Sequence, residues 1–493
     1  MKKETLIAIG VLAALSIGLL VLMQSGDKSP EPIAYTIPKL DKADKIEITQ
    51  DGKTTVLAKK DGAWRLQAPI DYPVASSAAE KLDKLLSRPI GMDMDYDASA
   101  ASKYELGDSA ASVAIYVGAD KKASFRVGKE ITVQPTNVKR AFISPKGQDR
   151  VFRAQAGLRT ELLKALDDWR EKKLVDFEEK DVTGVTIRTA DGTEVVLAKA
   201  DGEEGAWSLT KPEGVRLDET VAKRLPGAAA RLRAAGFADD ASAEQTGLDT
   251  PSHSLTFTLV GDKKPVTIHF GNPLKEDKGA GGGSTSPDVY MKVGDEKWVY
   301  TVKNWTWSQL AKGLPELRDK QMLKLDTKEI ASLTFAKPEG DPLVVESTAE
   351  GWKLTKPEAK DVPEANVNAI TRIIGDLKAS SVPDTDPAKA GLADPTKATR
   401  VTVTLKDGST KTILLGDAAA EGKKDLFARV DDGMVFVLAS FNATKLTPTA
   451  ESLTKEPAAA PPGGMPPGMP GGMPGGLPPG MMPGGLPPGV KIQ

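Results

Sequence analysis

The 493-residue chain has no cysteine and only two histidines, His253 and His269. The first absence excludes disulfides, thiolate metal sites, a cysteine nucleophile and an N-terminal lipid-bearing cysteine. The second leaves little for imidazole metal binding or general-base chemistry. Charge of one sign is missing too: 66 basic residues face 68 acidic ones, a formal charge of −2. That balance gives no electrostatic drive toward nucleic acid or anionic lipid. No G-x-S-x-G elbow and no dinucleotide fingerprint occurs. No catalytic, cofactor-binding or metal-binding residue is assigned from the sequence.

A long hydrophobic run is present once. Lys2 and Lys3 precede Leu6–Met23, eighteen residues without a charge. As a helix at 1.5 Å per residue it is about 27 Å long, near the hydrocarbon thickness of a bilayer. The rival reading is a cleaved secretory signal, which has a shorter apolar core and a small-x-small cleavage site. Met23-Gln24-Ser25 is a poor site of that kind. The expectation is an uncleaved transmembrane anchor over 1–23 and a stalk over 24–37. The positive-inside bias of Lys2 and Lys3 puts the N-terminus in the cytoplasm and the rest outside it.

Beyond the stalk, one pattern occurs three times. A strand, a turn and a second strand lead to Trp-x-Leu and then a proline, at Trp64, Trp207 and Trp352, which are 143 and 145 residues apart. Gly107, Gly247 and Gly391, each beside a leucine, are 140 and 144 apart. Gly128, Gly271 and Gly416, each ending an alternating run, are 143 and 145 apart. The six residues Trp64, Trp207, Trp352, Gly107, Gly247 and Gly391 are read as structural anchors. A period this long implies domains with their own cores rather than a solenoid. The boundaries expected are 38–176, 177–325 and 326–449.

Local signals fill in each repeat. Asp51-Gly52 and Asp191-Gly192 predict tight hairpin turns. A helix should follow each proline, with Ser77-Ala78-Ala79-Glu80 as a capping box in the first repeat and Pro226 kinking or breaking the second helix. Asp97, Asp240 and Asp386 read as helix caps, which explains Asp93-x-Asp95-x-Asp97 better than a calcium loop does. Two hairpins then follow. Amphipathic helices over Leu158–Lys172 and Trp305–Lys320 should close the first two repeats. The fold class expected is α+β: tandem domains of antiparallel β-sheet with packed helices.

The ordered set Trp-x-Leu-x-x-Pro, helix, Gly-Leu turn, glycine-ended strand, hairpin and Arg-x-Lys junction resembles a bacterial family known as domain of unknown function 4340. The junctions are Arg170-Glu171-Lys172 and Arg318-Asp319-Lys320. The first repeat departs from the Gly-Leu turn, having Leu106-Gly107. The resemblance implies a single-pass protein of the bacterial inner membrane, with its bulk periplasmic and ABC-type transporter subunits among candidate partners. It brings no catalytic residues.

The remaining motifs read blandly. His253 and His269 have no ligand-spaced partners and no counterparts in the other repeats. Gly279–Thr285 lacks the Gly-Lys-Ser/Thr ending of a phosphate loop and falls between two hairpins. From Pro457 to Lys491 proline and glycine fill 23 of 35 positions, so the tail 450–493 is expected to be disordered. Its interspersed methionines suit a flexible tether; a docking strip and Cu(I) binding are the rival readings. The function expected is a membrane-anchored extracytoplasmic accessory or scaffold. A glycan- or peptide-binding envelope module is the alternative, and an enzyme comes last.

Overall fold

The computed structural model describes residues 35–456 except 97, 149, 203–204 and 276–285. The expected anchor at Leu6–Met23, the cap Asp97, the loop Gly279–Thr285 and the tail from Pro457 lie outside the described residues. Among the described residues no helix is long and apolar enough to cross a membrane.

Each repeat is built on one antiparallel sheet with the same strand order. In the first, Lys45–Gln50 pairs on one side with Lys53–Lys60, which leads to Ala63–Ala68. On its other side it pairs with Ala111–Val117, followed by Asp120–Val133, Val138–Pro145 and Val151–Ala156. The second and third sheets repeat this plan from Val182–Thr189 and Ile330–Ala336. The architecture is therefore β-rich α+β. Tyr35–Ile37, expected in the stalk, instead form a strand on Gly91–Tyr96. Alternating β-formers with Ile37 buried favour pairing over a free linker.

Turn chemistry follows the residues closely. Asp51 and Gly52 have φ of 50° and 74°, and Asp61 and Gly62 have 53° and 81°. Both pairs make the two-residue turn that needs positive φ at two positions. At the matching turn of the second repeat Gly192 but not Asp191 has positive φ, and pairing stops at Arg188↔Glu194. The Asp191 carboxylate accepts from Thr189 Oγ1 and Thr193 N, which holds a longer loop in place of the expected tight turn.

The helix of each repeat covers one sheet face. Ser76–Leu86 buries Ala78, Leu82, Leu85 and Leu86. Each fully buried leucine contributes about 1.5–3 kcal/mol. The expected Ser77 capping box is absent: the N-cap is Ala75, and Glu171 Oε2 accepts from Ser76 N at 3.3 Å. The helix Glu219–Ala230, expected to kink or break at Pro226, continues through it without a break. The proline removes one backbone bond, while the Asp218 cap and buried Ala222, Leu225 and Ala229 hold the rest. In the third repeat Glu364–Gly375 buries Val367, Ile370 and Ile374, whereas Leu377 lies on the following strand, Asp376–Lys378.

Other elements also differ from expectation. The helices foreseen as Leu158–Lys172 and Trp305–Lys320 are each divided, into Leu158–Leu162 with Leu166–Trp169 and Asn304–Leu310 with Leu314–Leu317. In the second case Gly313 and Pro315 restart the helix, with Glu316 accepting from Gly313 N. Ser242, rather than Asp240, caps Ala243–Thr246. Asp386 caps a turn through Ala388 N, not a helix. The tail's first residues, Ala450–Thr454, form a helix with Leu453 buried, and Asn366 donates to the Leu453 carbonyl.

The described chain divides between Arg318 and Asp319 into two compact units. The first two repeats share one continuous core that contains Trp64 and Trp207. The third has a separate core against which Trp352 is partly buried.

A crossing recurs in every repeat. A Cβ on Gly128, Gly271 or Gly416 would lie 2.1, 2.0 or 2.1 Å from the carbonyl oxygen of Tyr104, Thr246 or Ala390. The residue after each of those carbonyls, Glu105, Gly247 or Gly391, has φ of 55°, 65° or 68°. The equivalent of Gly247 and Gly391 is thus Glu105, and Gly107 stands two residues further on. Glutamate tolerates the left-handed conformation less well, which hid the match. Gly128→Ala should lower stability by about 1–3 kcal/mol through overpacking against backbone. Gly107→Ala, with open space around its Cβ, should stay within about 0.5 kcal/mol. Urea unfolding of the two variants checks this, and equal losses would contradict the crossing.

Candidate binding faces and the junction between repeats

The Arg-x-Lys junction after the first repeat is a clasp. Arg170 is 1% exposed, although nothing in its neighbourhood of sequence is strongly apolar on both sides. Its Nη1 and Nη2 donate to the two Asp239 oxygens at 2.6 and 3.1 Å, a forked pairing that lysine cannot reproduce. The guanidinium carbon lies 3.5 Å from the Phe237 ring centroid, 4.5 Å from Tyr72 and 5.1 Å from Trp298. Tyr72 comes from the first repeat and the other rings from the second.

Backbone pairing fixes the clasp on both sides. Ala75 N donates to the Trp169 carbonyl and Glu171 N to that of Pro73. Ala234 N donates to the Lys172 carbonyl and Leu174 N to that of Leu232. Burial alone would raise the Glu171 pKa, but donation from Lys173, Ser76 and Lys172 N outweighs it and holds the carboxyl below its usual range. The Tyr72 hydroxyl sits 3.3 Å from that of Tyr300, which donates to Glu296. Burial pushes both phenols up, so they stay protonated.

The sheet registers reveal a second feature. In the first repeat Thr54↔Thr49, Thr49↔Ser112, Ser112↔Arg126 and Arg126↔Ser144 are direct cross-strand partners. They form one transverse row over five strands. In the second repeat the corresponding row is Glu194, Arg188, Ser254, His269 and Lys292. In the third it is Ala336, Arg400, Leu414 and Arg429. Arg126, His269 and Leu414 each stand two residues before the crossing glycine.

The three faces differ in chemistry. In the first repeat the row floors a groove of about 870 Å³, walled by Leu106–Ala110 and the Lys146–Gln148 turn. A neighbouring hollow of about 410 Å³ shares Asp51, Ser109 and Ala110 with it. Arg126 donates to Asp108 at 3.1 Å and to the Leu106 carbonyl at 3.3 Å. In the second repeat Arg188 pairs with Glu194 at 2.7 Å, and His269 Nδ1 lies 2.9 Å from Ser254 Oγ. In the third repeat Leu414 is buried in a small cluster with Leu392 and Val435.

Of the sequence-predicted anchors, Gly107 lines the smaller hollow of the first repeat, while Trp64 and Trp207 sit in the core. Trp64 is in the core, its Nε1 donating to Asp83 at 2.9 Å with Lys59 over the ring. Trp207 is likewise buried, and its backbone N–H is taken by Glu219. His253 stacks edge-on to Trp307 and touches Ser252 Oγ, far from any ligand set. Among the described residues no group of three His, Cys, Asp or Glu side chains could hold a metal ion. Sequence reasoning missed the row because it becomes a row only once strand register is known. The position two before the glycine was the available signal.

A family model described as Domain of unknown function (DUF4340) matches the chain three times, over 64–251, 207–395 and 352–457. Each match begins at the tryptophan of Trp-x-Leu. The first two run through the closing helices, past the next tryptophan and beyond the next Gly-Leu turn. No curated protein matches the chain.

Two outcomes follow from this geometry. Arg170→Ala should destabilise the first two repeats by about 3–5 kcal/mol, because it empties the space among three rings and removes the partner of Asp239. Arg170→Lys should recover only part of that loss. Denaturant unfolding with limited proteolysis near residue 175 measures both. Burial lowers the pKa of His253 and of His269, with Lys292 adding to the effect at His269. The unfolded chain therefore binds more protons than the folded one below about pH 6.5. Stability should fall as pH drops from 6.5 through the lowered folded values. His253→Gln should make that fall shallower, as read by thermal unfolding across pH 5–8.

Proposed function

We propose, for a chain that belongs to the domain of unknown function 4340 family through most of its length, a non-enzymatic role as an accessory or scaffold that presents distinct recognition faces. The observation that carries this reading is the transverse row. At matching positions the row carries four hydroxyls and Arg126 in the first repeat, three charged residues with Ser254 and His269 in the second, and Leu414 between Arg400 and Arg429 in the third. The crossing glycine, which packing requires, is the same in all three repeats, while the open row beside it carries different chemistry in each. Side chains that differ at a common position suit different partners on a common frame.

The setting proposed is the bacterial envelope. The uncharged run Leu6–Met23 after Lys2 and Lys3 supports an inner-membrane anchor with the repeats on the periplasmic side. Partners on that side, ABC-type transporter subunits among them, would meet the faces. The clasp at Arg170 keeps the first two faces in a fixed relation, which favours simultaneous contact over independent binding.

Crosslinking in intact membranes followed by capture of the full chain tests the role. Envelope proteins should be recovered, and Arg126→Glu or Lys292→Glu should each remove a different subset. Recovery of cytoplasmic proteins alone would overturn the setting. A recovered set unchanged by both substitutions would overturn the faces as the contact surfaces.

A further inference from the structure

We infer that the groove of the first repeat takes an extended, carboxylated glycan lying across the strands, an inference that rests on the open faces being recognition surfaces. The direction of the row is the first reason. Neighbouring strands lie about 4.8 Å apart, so Thr49, Ser112, Arg126 and Ser144 cover roughly 14 Å perpendicular to the strands. That step is close to the length of one pyranose residue in an extended chain. Each strand thus offers one polar side chain per sugar.

The chemistry of the floor is the second reason. Ser112, Ser124 and Ser144 line the groove. A hydroxyl both donates and accepts, as does each hydroxyl of a sugar, so the pairing works for either hydrogen direction. Arg126 adds a guanidinium suited to a carboxylate. Its present partner, Asp108, is fully exposed and held by a single contact at 3.1 Å. An exposed pair of this kind contributes little, so an incoming carboxylate can replace it. Lys146 and Arg150 at the rim add positive charge, and among the described residues the acids of the lining are Asp108 and Asp51.

The same geometry disfavours other polymers. An extended peptide gains affinity by adding to a sheet edge through its main chain. Here the central strands are paired on both sides, so the face has no backbone donors left to give. A single-stranded nucleic acid needs exposed aromatic platforms. Phe125, the aromatic residue of the lining, is buried.

Binding of polygalacturonate to the detergent-solubilised full chain tests the inference, with a neutral β-glucan and polyglutamate as comparison polymers. Polygalacturonate should bind at least tenfold more tightly than either. Arg126→Ala should lose at least tenfold, and Arg126→Lys should recover only part of this. Ser112→Val with Ser144→Val, which suits a strand, should weaken polygalacturonate binding while leaving the circular dichroism spectrum unchanged. Equal binding of polyglutamate, or binding indifferent to Arg126 and to the serines, would overturn the glycan. If the Arg126→Glu chain still loses crosslinked envelope proteins in that event, the recognition face stands and only its ligand class falls. If neither readout responds, both fall.

Discussion

In each repeat two pieces of backbone meet with no room for a side chain between them. In every repeat the chain crosses the sheet at a glycine inside a central strand, where the pairing shifts register, with a carbonyl where a side chain would otherwise be. Much of the repeat depends on that crossing. It pins the segment between helix and sheet, fixes the left-handed residue that follows the carbonyl, and sets how far the segment covers the outer face. In the first repeat it leaves the row of hydroxyls open beside Leu106. In the third the same path lays Leu392 over Leu414. One steric constraint therefore serves faces of different chemistry.

The second organising interaction acts between repeats. Arg170 is surrounded by three rings, forked onto Asp239 and approached by Asp167 at 3.5 Å. Cation–π attraction and a forked hydrogen bond compensate a charge that could not be buried alone. The elements that meet there are short: the two-residue strands at Tyr72 and Gly236, and the brief helix ending at Trp169. None has enough core of its own to be fixed independently. Their order comes from the clasp and the backbone pairs around it. The first family match crosses this junction, beginning inside the first repeat and ending inside the second.

Much of this was legible in the residues. The period of the tryptophans and of the crossing glycines placed three copies of one sheet, and alternation such as Val401-x-Val403 placed strands within them. Those signals are local and repeated, so they survive without knowledge of pairing. The failures share a physical cause. Ser76 is capped by Glu171, which lies 95 residues away, and no local motif records that. Glu105 took the place of a glycine and shifted the apparent register to Gly107. Pro226 broke the local rule inside a helix that tertiary burial sustains. The transverse row and the aromatic clasp are likewise properties of register and of long-range packing. Neither has a spacing that can be read along one strand.

The shared core of the first two repeats means that the unit of inheritance is not the unit of folding. A duplication copies about 143 residues, yet a cut after residue 176 would pass beside the linker that is strand-bound on both sides and would part Tyr72 from its rings. The division between Arg318 and Asp319 makes no such demand of the first two repeats. Evolution could thus exchange the last repeat as a module, whereas the first two must change together, each new side chain at the clasp being accepted or rejected by its neighbour's rings.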